Sequence, residues 1–307
     1  MNVAIFGAGQ LGTAVWRLLA SRAGVEVAGP FSRDQRSVAL SSGADLVVIA
    51  TTSFLSEVAP DIRVAVEAGS NVITSAEEAA YPWAVNSELS TELDSLARAH
   101  GVTILGCGLN PGFVFDALVL TACGAGSDVE SIRVERIVDL GGFSEGVLRR
   151  IGVGYSQSEF ADGTGSGRIT GHIGFPQSMA VVAARLGVSL ERVDRDISPI
   201  FADTEYRKPH ITVLRGQTAG FTQRYVGWSR GARWFECEFW GHIDPESIGR
   251  TPRDEIWIAG MSPLHLQVLP GLNPQSAAPA MIANSMARVV DARAGWLTVG
   301  DLPPATP

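Results

Sequence analysis

The sequence predicts an α/β protein: a doubly wound parallel sheet followed by a second α+β domain containing a mostly antiparallel sheet. Three observations carry this expectation. Residues 3–12 order a strand, a glycine turn and a helix; short apolar runs then alternate with helical segments; and from Ile211 to His242 aromatic and β-branched residues crowd together between turn residues.

The run Val-Ala-Ile-Phe from Val3 is followed at once by Gly7, Gly9 and Gly12 in G-x-G-x-x-G spacing, and Leu11, Val15, Leu18 and Leu19 recur behind it at helical intervals. In such a turn Gly7 permits the tight reversal, Gly9 lets a pyrophosphate approach the backbone, and Gly12 lets helix and strand pack closely. The helix N-terminus adds N–H groups and a positive dipole end. The expectation is a Rossmann-type domain with Gly7, Gly9, Gln10, Leu11 and Gly12 as its cofactor loop. A merely structural glycine turn is the alternative.

A second strand is expected from Val25 to Gly29. Where an NAD site would place an acid on the ribose, the chain reads Pro30-Phe31-Ser32-Arg33. The Ser32 hydroxyl and the Arg33 guanidinium suit a 2′-phosphate, which favours NADP, with NAD the alternative. The competing reading makes Arg33 and Arg36 a solvated loop face, with Asp34 in reach of a ribose. Asp45–Ala50 reads as a buried parallel strand, only a short helix after the second, and Thr51, Thr52 and Ser53 follow at its carboxyl end, where such sheets bind ligands. Pro60 is expected in the first turn of the next helix, which stops at Gly69.

The strand Asn71–Thr74 leads into Glu77 and Glu78, two carboxylates where a nicotinamide ring is expected; the alternative is that they favour a helix N-terminus. A helix with Leu89, Leu93 and Leu96 on one face ends at Gly101, and the strand Val102–Leu105 runs into Gly-Cys-Gly-Leu-Asn-Pro-Gly-Phe at 106–113, with Pro111 fitted to start a helix. Asn110 can contact a substrate or hold its own turn. Cys107 reads as a small filler rather than a nucleophile.

Near residue 130 the character changes. Ile132–Val138 alternates apolar and charged residues as a half-exposed strand would; Ser156–Gly171, rich in Gly, Ser and Thr, reads as a mobile loop; Glu255–Ala259 and Leu264–Leu269 add strands; and the helix Ala277–Ala292 returns to the first domain. The expected division is therefore 1–125, completed by 277–307, for the dinucleotide, and 126–276 for substrate and dimerisation.

Composition removes other classes. With 24 Lys plus Arg against 32 Asp plus Glu, a net charge of −8 and no basic run, no nucleic-acid partner is expected. No apolar run reaches the roughly 18 residues of a membrane span, and the first residues already read as a strand of the fold rather than a signal peptide, so a cytoplasmic location is expected. Cys107, Cys123 and Cys237 make no disulfide framework, and His100, His210, His242 and His265 lack ligand spacing with acids or cysteines, so no metal is expected.

The stretches 72–82 (Val-Ile-Thr-Ser-Ala-Glu-Glu-Ala-Ala-Tyr-Pro), 106–113 and 171–178 (Gly-His-Ile-Gly-Phe-Pro-Gln-Ser) resemble the family of 2,4-diaminopentanoate dehydrogenases and related NAD(P)-dependent amine dehydrogenases, whose amino-terminal domain is dihydrodipicolinate-reductase-like. The resemblance covers nearly the whole chain. It implies a homodimer with the substrate between two domains and interconversion of an amine with a ketone or aldehyde plus ammonia. The role near the amine transfers to Glu77, with Glu78 in reserve, and Asn110, Pro111 and His172 fall in motifs that would line the substrate. Departures are a short second-to-third strand gap, Gln177 where an acid is expected, and neither the His-His pair nor the nearby lysine of true dihydrodipicolinate reductases, since Lys208 is the single lysine. A reductase of a carbonyl or preformed imine, and a non-catalytic dinucleotide-binding sensor, are the competing functions.

Overall fold

The computed structural model describes residues 1–307. The chain runs β1 (Asn2–Phe6), α1 (Gln10–Ala20), β2 (Glu26–Phe31), α2 (Arg36–Leu40), β3 (Leu46–Ile49), α3 (Leu55–Glu67), β4 (Asn71–Thr74), α4 (Ser87–His100), β5 (Thr103–Gly106) and α5 (Ala117–Cys123). It continues with β6 (Ser131–Asp139), α6 (Glu145–Arg150), α7 (Gln157–Gly165), α8 (Phe175–Leu186), β7 (Arg192–Phe201), β8 (Tyr206–Lys208), β9 (Ile211–Val213), β10 (Thr218–Ser229), β11 (Ala232–His242), β12 (Arg253–Ala259), β13 (Leu264–Val268), α9 (Pro274–Val290) and β14 (Gly295–Leu297). Two compact units result: Met1–Thr121 with Gly174–Val188 and Pro274–Pro307, and Ala122–Ile173 with Ser189–Asn273.

The first unit is built on a six-stranded sheet in the order β14-β5-β4-β3-β1-β2, parallel throughout. Its inner strands β1 and β3 read as unbroken apolar runs because both faces are covered. Ala4, Phe6, Val47 and Ile49 pack with Leu55, Ile62, Leu93 and Trp296, while Val3, Ile5 and Val48 pack with Val15, Leu19, Ile282 and Met286. Each such fully buried aliphatic side chain contributes about 1.5–3 kcal/mol. The strand order reverses at β1, with β2 on one side and β3 on the other, which places a ligand crevice at the carboxyl ends of β1 and β3.

Several elements differ from expectation for identifiable reasons. Helix α3 begins at Leu55, so Pro60 lies inside it rather than in its first turn. Its start is set by a distant group: the Glu78 carboxylate accepts from Leu55 N at 2.7 Å. No helix starts at Pro111. The buried Asp116 carboxylate accepts from Gly112 N at 2.8 Å and Ala117 N at 2.7 Å, which holds 108–116 in turns and opens α5 at Ala117. The short β14 adds a strand that three residues of sequence do not announce, and α8, expected within the second domain, clusters with the first.

In the second unit the sheet order is β13-β12-β6-β11-β10-β7; only the β6–β11 pair is parallel. The hairpin β10–β11 follows the aromatic stretch, with Phe221, Trp234, Phe235 and Phe239 buried. Strand β6 is central and mostly buried rather than half exposed. Its charges are compensated: Arg136 pairs with Asp254 at 3.0 Å and donates to Leu272 O at 2.7 Å, while Arg253 donates to Glu135 at 2.6 Å. Residues 156–171 are not a loop throughout. Ser156 and Glu159 form a capping box that starts α7, an S-x-x-E signature the glycine content obscured.

Candidate active site

At the end of β1, Gly7 adopts φ +123°, and a side chain there would collide with Ala50 O; at Gly12 it would collide with Gly7 O. These two glycines are required by the close approach of the turn to β3 and of α1 to its own turn. Gly9 is different. A Cβ there meets nothing, and no side chain caps α1. The exposed Gly9 and Gln10, the partly buried Leu11 and the helix N-terminus thus leave room and donors for a dinucleotide pyrophosphate. The residues present fit that group.

The neighbouring strand ends adjoin this turn. Gly7 N donates to Phe31 O at 2.9 Å, which brings the end of β2 alongside. Beyond it Ser32 opens a single 3₁₀ turn and its hydroxyl donates to Asp34, whose carboxyl that bond holds below the usual range; Arg33 is exposed and Arg36 pairs with Asp61. On the other side Thr52 bonds Glu57 and Phe54 N, Thr51 is partly exposed, and Ser53 is buried with its carbonyl accepting from Glu78 N at 3.2 Å.

Glu77 and Glu78 open a 3₁₀ turn after β4 and take different surroundings. Glu78 caps α3. Glu77 lies by the 106–113 loop and the start of α8: a Cβ placed on Gly174 would be 3.0 Å from Glu77 Cβ and would collide with Pro111. Glu77, Pro111 and Gly174, far apart in sequence, therefore meet. Beside Pro111, both polar atoms of the Asn110 carboxamide are buried without a hydrogen-bond partner, and so is Oε1 of Gln177 on α8.

Asp116, which sequence reading passed over, ties this arrangement together. Fully buried, it accepts from Ser178 Oγ at 2.9 Å as well as from Gly112 N and Ala117 N, so it joins the loop to α8; burial pushes its carboxyl above the usual range against those bonds. An aspartate among apolar residues after N-P-G was the available signal. Burial also pushes the Cys107 thiol up to about 12, with Ser285 as its polar neighbour, which makes it the filler expected.

His172 belongs to the second unit. Its backbone is held from both sides by the buried Gln223: His172 N donates to Oε1 at 2.8 Å, and Nε2 donates to His172 O at 3.1 Å and to Tyr225 at 3.3 Å. The ring packs on Phe239 at 5.2 Å, its Nδ1 is buried, and burial together with nearby Arg136 and Arg150 pushes the imidazole down to about 4. It is neutral at physiological pH. Gln223 and Arg136 were not legible as neighbours of His172, since they come near it only through sheet register. No group of three or more His, Cys, Asp or Glu is placed to hold a metal ion.

A parallel sheet with an open glycine turn at its switch point and a carboxylate at a nearby strand end defines an NAD(P)-dependent oxidoreductase. Residues 113–306 match the family described as the 2,4-diaminopentanoate dehydrogenase C-terminal domain, and the chain is 30% identical over 329 residues, 99% of its length and 93% of the relative's, to 2,4-diaminopentanoate dehydrogenase of Acetoanaerobium sticklandii. The chain belongs to the 2,4-diaminopentanoate dehydrogenase family. Its fold is similar to that of an amine dehydrogenase from Mycobacterium smegmatis, with a TM-score of 0.86 and 22% identity over 100% of this chain and 97% of that one. It is also similar to the DAP dehydrogenase of C. glutamicum in complex with DAP, with a TM-score of 0.50 and 13% identity over 99% and 94%. These two likenesses concern the fold.

Proposed function

We propose that the protein interconverts a small amine with a ketone or aldehyde plus ammonia, with NADP as cofactor and NAD as the alternative. The observation that carries this reading is the meeting of Glu77 with Pro111 and Gly174 while its neighbour Glu78 is committed to capping α3. Glu77 is thus the catalytic carboxylate of the pair. In the aminating direction it takes a proton as nitrogen attacks the carbonyl and returns one to the carbinolamine hydroxyl, which leaves as water. It then stands as a fixed negative charge beside the cationic imine, an attraction that grows as water is excluded. When bound, the nicotinamide supplies hydride to the imine carbon or accepts it from the amine carbon.

Gly7, Gly9, Gln10, Leu11 and Gly12 bind the pyrophosphate in this reading, with Thr51, Thr52 and Ser53 beside the cofactor and Ser32 and Arg33 toward its 2′-phosphate. Asn110, Pro111 and His172 contact the substrate. The division of labour between 1–125 with 277–307 and 126–276 is part of the proposal. So are a homodimer, supported by the family and by the face of the second sheet where Arg192, Arg250 and Arg133 lie over Trp228, Trp240 and Trp257, and a cytoplasmic location; no helix is long and apolar enough to cross a membrane. Sedimentation velocity tests the dimer.

The deciding experiment is NADPH and NADH oxidation against a panel of small ketones and aldehydes, with and without ammonium, for the natural protein and for Glu77→Gln. Ammonium-dependent oxidation that drops by about 10²–10⁴ in the variant is expected. Turnover indifferent to ammonium would make the protein a reductase of a carbonyl or preformed imine. Tight NADPH binding without turnover on any carbonyl would make it a sensor.

A further inference from the structure

We propose that Asn110 and Gln177 complete, with Glu77, a subsite for the amine nitrogen, ammonium in one direction and the protonated substrate amine in the other. The proposal rests on the amine reading above. Buried polar atoms in a folded protein are nearly always paired, because stripping them of water without a replacement partner costs free energy. Here three are left over in one neighbourhood: Oδ1 and Nδ2 of Asn110, and Oε1 of Gln177, a residue only 6% exposed.

Their placement is specific. Gly174 is the N-cap of α8, which makes Gln177 its third helical residue. A glutamine there ordinarily folds back onto the N-cap N–H. In this protein its oxygen makes no such bond. Positions three apart share a helix face, so Gln177 lies on the side of Gly174, the residue packed on Pro111 and Glu77. Asn110 immediately precedes Pro111. Both carboxamides stand on backbone that Asp116 fastens, through Gly112 N and the Ser178 hydroxyl. They therefore stand on anchored supports next to Pro111 and Gly174, the residues that meet Glu77.

An ammonium or alkylammonium nitrogen offers only N–H donors. A carboxylate and two carboxamide oxygens are three acceptors for it, and only one of them carries charge, so ligand and site balance. A second carboxylate at 177 would instead disfavour ionisation of Glu77, which gives the absence of an acid there a physical reason. Nδ2 of Asn110 remains as a donor for an oxygen and suits the carbinolamine hydroxyl that departs as water.

The test compares the natural protein with Gln177→Met, which keeps side-chain length but removes the acceptor, and Gln177→Glu, which restores one. For Gln177→Met, KM for ammonium is expected to rise about tenfold, with KM for the carbonyl and Kd for NADPH unchanged within about twofold, as loss of one hydrogen bond to a charged group implies. Gln177→Glu restores an acceptor but adds a like charge beside Glu77, so it recovers the loss only as pH is raised above the optimum of the natural protein. Independently of turnover, ammonium chloride should raise the Tm of the natural protein above its value in potassium chloride at equal ionic strength, and this difference should vanish in Gln177→Met. Equal changes in both KM values, no change in either, or no ammonium-specific Tm difference overturns the subsite while leaving ammonium-dependent turnover intact. Absence of that turnover in the natural protein overturns the amine reading itself.

Discussion

Adjacent glutamates take different surroundings: Glu78 bonds the start of α3, and Glu77 lies by Pro111 and Gly174. Glu78 accepts from Leu55 N and so offsets the positive end of α3; Glu78→Gln should lower stability by about 0.5–2 kcal/mol, read as a fall in Tm, while ammonium-dependent turnover survives. A large activity loss at unchanged Tm would exchange the roles assigned to the two residues. His172 is the titratable residue of the second unit with the clearest consequence. Its folded pKa of about 4 lies below the ordinary 6.5, so the neutral ring contributes stability that is fully present above pH 6.5 and is lost as pH falls through 6.5 toward 4. NMR titration of the imidazole should give a midpoint near 4, and His172→Gln should flatten the urea-denaturation stability profile across that window. A midpoint near 6.5 would mean the ring is solvated.

At the scale of elements, the glycine turn separates folding from binding. Gly12 touches the Gly7 carbonyl, whereas Gly9 faces open space with an ordinary φ of −76°. Gly12→Ala should therefore lower Tm by several degrees, since a buried backbone clash costs about 1–3 kcal/mol. Gly9→Ala should leave Tm unchanged yet weaken NADPH binding about tenfold or more by holding the pyrophosphate off the backbone. Calorimetry on both variants checks this; unchanged affinity in Gly9→Ala would place the phosphates elsewhere. Helix α3 carries the complementary lesson. Its apolar spacing was visible, but its first turn depends on a carboxylate 23 residues away, and a proline six residues into the helix misdirects any local reading of its start.

At the scale of the molecule, the carboxyl-terminal segment is structural rather than a tail. Helix α9 supplies Ile282, Ala283, Met286 and Val289 to the core beneath α1, and Trp296 of β14 donates to Ala79 O at 3.1 Å, two residues beyond Glu77. A chain ending at Asn273 should lose the near-ultraviolet circular dichroism of the native state and aggregate, since it uncovers the part of the sheet face that α9 shares with α1 and removes the edge strand β14. A soluble truncated chain with native spectra would contradict this account of the core.

Periodicity and turn chemistry in the sequence determined the succession of β1 to β5 along the chain, the glycine turn, the presence of antiparallel strands in the aromatic stretch and the carboxylates after β4, because each of these rests on interactions within a few residues. The motifs around Glu77, Pro111 and Gly174 were legible as separate stretches. Tertiary structure decided what joins them. The capping of α3 by Glu78, the fastening of the Asn110 loop through Asp116 and Ser178, the neutral His172 held by Gln223, and the recruitment of α8 and β14 into the first unit all depend on groups brought together from distant parts of the chain. Local spacing carries no information about which distant donor a buried carboxylate or carboxamide will find.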